Sequence, residues 1–139
     1  MYCVYVARLQ NKRLYSGQTK LWRIKTRWEE HMNPNVATTR WTTEYPVCEK
    51  LAVFKCSSLK ECRRLENDVC EALMEAFGLD VCRGGNWNML AEGPVSKWWV
   101  PPRLKHVPCF TEEWSTLCER TFAESARNVL TRFGALPQL

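Results

Sequence analysis

The chain reads as an α/β (α+β) protein: a small three-stranded antiparallel sheet flanked by helices, ordered strand, strand, helix, strand, helix, with a C-terminal helical extension. Three observations predict this. Two runs rich in β-branched and aromatic residues, at 2–9 and 13–17, are separated by polar Gln10, Asn11 and Lys12, the pattern of a hairpin. Residues 47–54 form a third such run. Two later segments, opening after Ser58 and Thr111, repeat apolar residues at helical spacing.

Each element has a local cause. After the hairpin, Thr19 is the expected cap of a helix starting near Lys20, because Leu21, Ile24, Trp28 and His31 recur on one helical face. Asn33, Pro34 and Asn35 stop it. A polar loop through Arg40, Trp41 and Thr42 leads to the third strand. Ser58 and Glu61 are spaced as a capping box. The helix they open carries Leu59, Cys62, Leu65, Val69, Cys70, Leu73 and Phe77 on one stripe and ends at Gly78. Residues 82–89 read as a loop, and Pro94, Pro101, Pro102 and Pro108 keep the following stretch irregular. Thr111 then caps one last helix, with an apolar face from Trp114 to Phe133 and Gly134 closing it. The expected units are a compact body at 1–92 and an extension at 93–139.

With 139 residues the chain can bury a real core, and 45% hydrophobic against 25% charged residues is ordinary for a soluble globular protein. No apolar run approaches the roughly 20 residues that cross a bilayer, so no membrane partner is expected. Met1 leads straight into a strand-like run with no basic leader, which makes an intracellular (cytoplasmic or nuclear) location the expectation. The eight cysteines follow no zinc-ribbon or zinc-finger spacing. Cys3, Cys48, Cys62, Cys70 and Cys118 fall at apolar positions, where a reduced thiol acts as a small hydrophobe. His106 and Cys109 alone offer too few ligands for a metal centre.

The net charge of +5 is placed unevenly. Residues 1–31 hold seven basic side chains (Arg8, Lys12, Arg13, Lys20, Arg23, Lys25 and Arg27) against Glu29 and Glu30, and the remainder balances thirteen against thirteen. Such a local positive field suits a polyanion; a solvated basic surface is the other reading. The acidic pairs Glu29-Glu30 and Glu112-Glu113 read as solvated helix charges.

Glu66 sits one turn from both Cys62 and Cys70, so the apolar stripe turns it inward. A buried carboxylate needs a cation, a hydrogen-bond set or a metal; a stripe-edge glutamate reaching solvent is the alternative. Arg27 and His31, at i and i+4 on the preceding helix, supply candidate partners.

Together these residues resemble the GIY-YIG nuclease family. Cys3-Val4-Tyr5 is similar to the first motif with its glycine and isoleucine replaced, and Tyr15-Ser16-Gly17 to the second with serine for isoleucine. Arg27-Trp28-Glu29-Glu30-His31 resembles the family's arginine helix, Arg40-Trp41-Thr42 its aromatic-threonine segment, and Leu65-Glu66-Asn67 its glutamate helix. The likeness spans about residues 2–90. It departs at Gln18, where some members carry a lysine, so that a helper cation is either missing or replaced by Lys20, and at the late asparagine, for which Asn86 and Asn88 both qualify. Residues 78–87 resemble a stretch in GIY-YIG proteins of large DNA viruses and mobile elements.

The resemblance implies a metal-dependent endonuclease acting on double-stranded or branched DNA. Tyr5, Tyr15, Arg27, His31 and Glu66 would be catalytic, with Glu66 holding one Mg²⁺ or Mn²⁺ ion per site. Gly17, Lys20, Arg23, Arg40 and Asn86 are the expected substrate contacts. The alternative is a catalytically inactive GIY-YIG-like module that binds DNA. The segment from Lys97, Trp98 and Trp99 to His106 either grips DNA or caps the core. A monomer would nick one strand per visit, and a double-strand cut would need two visits or a transient dimer.

Overall fold

In the computed structural model, residues 1–33, 35, 36, 39–90 and 100–134 are described. Pro34, the proposed 92/93 boundary and the Lys97, Trp98 and Trp99 segment lie outside the described residues.

Strands β1 (Tyr2–Leu9) and β2 (Arg13–Lys20) form the expected hairpin, and β3 (Val47–Cys56) pairs antiparallel with the other edge of β1. A fourth strand that periodicity did not reveal, β4 (Cys82–Arg83), lies parallel to β2 and gives the order β3-β1-β2-β4. It pairs only Leu14 with Cys82 and Tyr15 with Arg83, so residues 16–20 of β2 remain at the sheet edge.

Side-chain alternation sends Val4 and Val6 into one core and Cys3, Tyr5, Ala7 and Leu9 into another. The second core is roofed by α1 (Ile24–Met32) and α2 (Arg40–Glu44). Here the sequence reading is corrected twice. Thr19 caps nothing, because β2 continues to Lys20, which pairs with Tyr2, and α1 begins only at Ile24. The Arg40-Trp41-Thr42 segment is a short helix rather than a loop; Thr39 Oγ1 accepts from the Thr42 amide, and Trp41 is buried with its indole donating to the Leu14 carbonyl.

The first core is covered by α3 (Leu59–Phe77), which buries Cys62, Val69, Cys70, Leu73 and Phe77. Its Ser58 cap forms as expected, while Glu61 reaches one residue further back, to the Ser57 amide and hydroxyl. The C-terminal residues Val100, Leu104, Val107, Phe122, Ala126 and Leu130 belong to this same core. The single last helix is in fact two, α4 (Glu112–Thr116) and α5 (Glu119–Leu130), with extended backbone at Leu117 and Cys118. The break lets α5 turn Phe122 onto Phe77, edge to face at 5.0 Å, while Trp114 stays over the hairpin turn. It also frees the Trp114 and Leu117 carbonyls, which accept from Lys12 Nζ at 2.5 and 2.8 Å. Lys12 has a φ of 53°, an uncommon conformation for lysine that this tether holds.

Of the cysteines expected at apolar positions, Cys3, Cys62 and Cys70 are buried, whereas Cys48 and Cys118 are exposed, at the start of β3 and at the helix break. None of the described helices is long and apolar enough to cross a membrane.

Candidate active site

Tyr5 is central to the arrangement. On β1 it stands opposite Gly17 of β2, and its ring lies across that strand. A methyl group on Gly17 would come within 2.5 Å of both Cζ and the hydroxyl of Tyr5, so this position admits only glycine for a reason of space. Gly17 thus seats a tyrosine, which the motif alone did not convey.

From above, α1 lowers Trp28 edge-on against the Tyr5 ring at 5.0 Å and brings His31 Nε2 to within 2.8 Å of the phenol oxygen. Arg27 Nε donates to the same oxygen at 3.0 Å. The Tyr5 hydroxyl and His31 Nε2 share this hydrogen bond, His31 accepting the phenol proton in its Nδ1–H tautomer and donating in the other. Burial, assisted by the Arg27 charge, pushes the His31 pKa down to about 4 and keeps the ring neutral at pH 7. Burial, then the neighbouring Tyr15, raises the Tyr5 pKa, and Arg27 opposes that rise. The Tyr15 ring lies 6.2 Å from Tyr5 and 5.5 Å from His31.

Glu30 belongs to this cluster and is not the solvated charge expected. Its two oxygens pair with Arg23 and Arg27 at 3.1 Å each, so it holds Arg27 from the side opposite Tyr5.

Glu66 arrives from α3, on the other face of the sheet. It is 4% exposed, and its side chain accepts one hydrogen bond, from the Gly85 amide at 2.9 Å. Asn67 Oδ1 accepts from the next amide, that of Asn86, also at 2.9 Å. Gly85 has a φ of +55°, and a methyl group there would fall 2.3 Å from Asn67 Oδ1, so glycine is required for this double clasp. Arg83, wholly buried, pins the loop's root through the Leu79 and Cys82 carbonyls, Asp80 and the face of Trp41. Burial raises the Glu66 pKa to about 7, against a smaller opposing effect from the Gly85 amide. No described cation pairs with it.

Between these parts lies a cleft of about 290 Å³. Tyr15 and Gln18 form one wall, Arg63, Glu66 and Asn67 a second, and Gly85 and Asn86 the third. Glu66 is its only carboxylate, and no cluster of three or more potential metal ligands exists among the described residues. A lone, buried, unpaired carboxylate fits a hard cation that keeps most of its waters, and does not fit a fully protein-coordinated zinc or calcium site.

The expected residues therefore divide. Tyr5, Tyr15, Arg27 and His31 meet in one cluster, and Glu66 and Asn86 meet Tyr15 in the cleft. Lys20 is exposed and does not line the cleft, nor does Arg23, which is tied to Glu30. Arg40 opens α2, and its side chain, like that of Asn88, lies outside the described residues. The positive field of residues 1–31 is largely spent inside the fold. Arg8 pairs with Glu49 and Glu119, Lys12 holds two carbonyls, and Arg13 lies over the Tyr45, Phe110 and Trp114 rings. Sequence reasoning missed Arg63 and the Asn67 clasp; their only signal was the one-turn and one-residue offsets from Glu66.

The structure thus holds a phenol between an arginine and a histidine, with Tyr15 and Glu66 on the walls of the adjoining cleft. The GIY-YIG catalytic domain family model matches residues 1–74, more than half of the chain, and the chain belongs to that family of DNA nucleases. No curated protein and no solved structure matches the chain significantly.

Proposed function

We propose that this protein is a metal-dependent endonuclease that hydrolyses phosphodiester bonds in double-stranded or branched DNA. The observation that carries the reading is the Tyr5 hydroxyl set between Arg27 and His31 while Glu66, across the strand edge, is buried with no cation among the described residues.

In this reading Tyr15, on the cleft wall, orients the attacking water or the scissile phosphate. Tyr5 relays the proton of that water to neutral His31 Nε2, and Arg27 stabilises the phenolate formed on the way as well as charge building on the non-bridging oxygens. Tyr5 stays protonated and His31 neutral at pH 7, so the phenol gives up its proton only as it takes one from water. The lowered pKa makes His31 a weak acceptor, and the Arg27 charge beside the oxygen is what favours the phenolate. Glu66 would hold one Mg²⁺ or Mn²⁺ ion, which when bound stabilises negative charge on the leaving oxygen. Gly85 and Asn67 keep Glu66 aimed into the cleft.

A second reading, a DNA-binding module that does not cut, is favoured by one feature: Tyr5 is 0% exposed, out of reach of water until the cluster opens. Plasmid incubated with Mg²⁺ or Mn²⁺ separates the two. Wild type is expected to nick it, and Glu66→Ala and Arg27→Ala to lose at least about a hundredfold in rate. Equal nicking by all three proteins refutes the site, and gel shifts without nicking by any of them favour the binding module.

A further inference from the structure

Resting on the nuclease reading, we propose that Arg63 is the phosphate clamp of the cleft, gripping the phosphodiester next to the one cut, in the role the sequence assigned to Lys20. Arg63 lies on α3 three residues before Glu66, on the same side of the helix, and lines the cleft. Residues three apart on a helix have Cβ atoms about 5–6 Å apart, so Arg63 and Glu66 enter the cleft side by side.

Arg63 is exposed and makes no hydrogen bond or ion pair among the described residues. Among the described residues it is the one cation that lines the cleft; Arg23 and Arg27 are both engaged by Glu30. Gln18 also lines the cleft, with its Oε1 buried and without a partner among the described residues; an acceptor offers nothing to a phosphate, so the grip falls to the Arg63 guanidinium. A cation in a polar cleft beside a buried carboxylate, yet not paired with that carboxylate, is suited to an anion that arrives with the substrate. Its planar donor fork matches two phosphate oxygens, which a lysine does not. Arg64 provides an internal contrast: it is equally exposed on the next position of α3 and does not line the cleft.

The test is binding of fluorescent duplex and branched oligonucleotides by anisotropy, in EDTA so that nothing is cut, from about 50 to about 200 mM KCl. Arg63→Ala should lower the slope of log K against log salt by about 0.9 and weaken binding roughly five- to tenfold. Arg63→Lys should recover the slope but not the full affinity, and Arg64→Ala should match wild type. An unchanged slope and affinity for Arg63→Ala, or an equal loss for Arg64→Ala, overturns the clamp. If wild type nicks plasmid while Arg63→Ala binds normally, the clamp alone fails. If wild type neither binds nor cuts DNA, the nuclease reading fails and takes the clamp with it.

Discussion

Replacing Glu66 by glutamine should stabilise the metal-free protein at neutral and alkaline pH. The carboxyl pKa rises from 4.5 to about 7 on folding because the group is buried, with a single amide donor and no cation among the described residues. Each pKa unit corresponds to about 1.4 kcal/mol, so the ionised form costs about 3 kcal/mol. A folded pKa above the unfolded one means that the contribution is fully present below pH 4.5 and is lost as pH rises to about 7. Glutamine keeps an oxygen for the Gly85 amide but carries no charge to desolvate. At about pH 8 the Glu66→Gln protein should therefore melt roughly 10 °C above wild type, at about 3 °C per kcal/mol for a chain of this size. The gap should close towards about pH 4, where both side chains are neutral. The low His31 pKa makes both proteins less stable on acidification, but it is common to the two and cancels in the difference. Thermal unfolding followed by circular dichroism in EDTA reads the gap directly. Adding Mg²⁺ or Mn²⁺ should then raise the melting temperature of wild type and leave Glu66→Gln where it was. A glutamine variant that melts at or below wild type at about pH 8, or a gap indifferent to pH, refutes the claim that Glu66 is stored in the fold as an unpaired acid.

Two more perturbations address the scaffold. Gly17→Ala forces a methyl group to 2.5 Å from the Tyr5 ring and hydroxyl, and should cost about 1–3 kcal/mol in urea unfolding while abolishing plasmid nicking. Phe122→Ala removes the ring that α5 sets edge-on against Phe77, and should cost about 3–5 kcal/mol, with nicking per folded molecule largely retained because Phe122 lies in the core away from the cleft.

What could be read in the amino-acid sequence was whatever local patterning controls. The hairpin follows from two β-rich runs, α3 from a 3.6-residue stripe with Ser58 at its head, and the meeting of Tyr5, Arg27 and His31 from the resemblance of their motifs to the GIY-YIG family. What could not be read depends on parts of the chain far apart in sequence. Two residues, Cys82 and Arg83, are too few to show strand periodicity, and they become β4 because a buried Arg83 and the Leu14–Cys82 register hold them. The break at Leu117 and Cys118 depends on Lys12, more than a hundred residues earlier, taking the freed carbonyls. Charge was the least legible quantity. Counting located the excess in residues 1–31, but Glu30, Glu49, Glu119 and the Trp114 face absorb most of those cations. Arg63, which in sequence looks the same as Arg64, is among the described residues the cation that lines the cleft.

The short β4 ties these observations to the site. Because it pairs with only two residues of β2, the edge at 16–20 stays open, and groups mounted on opposite faces of the sheet can meet around it. α1 brings Arg27 and His31 from one side and α3 brings Glu66 from the other. A longer fourth strand would shield Tyr15 from the carboxylate. The arrangement costs stability, because an unpaired Glu66 opposes folding by about 3 kcal/mol at neutral pH. The C-terminal residues offset that cost by placing Leu104, Phe122 and Leu130, each at most 1% exposed, against α3 and the sheet. Full burial of such a side chain contributes about 1.5–3 kcal/mol, so two of the three suffice to hold α3 where it keeps Glu66 aimed at the strand edge.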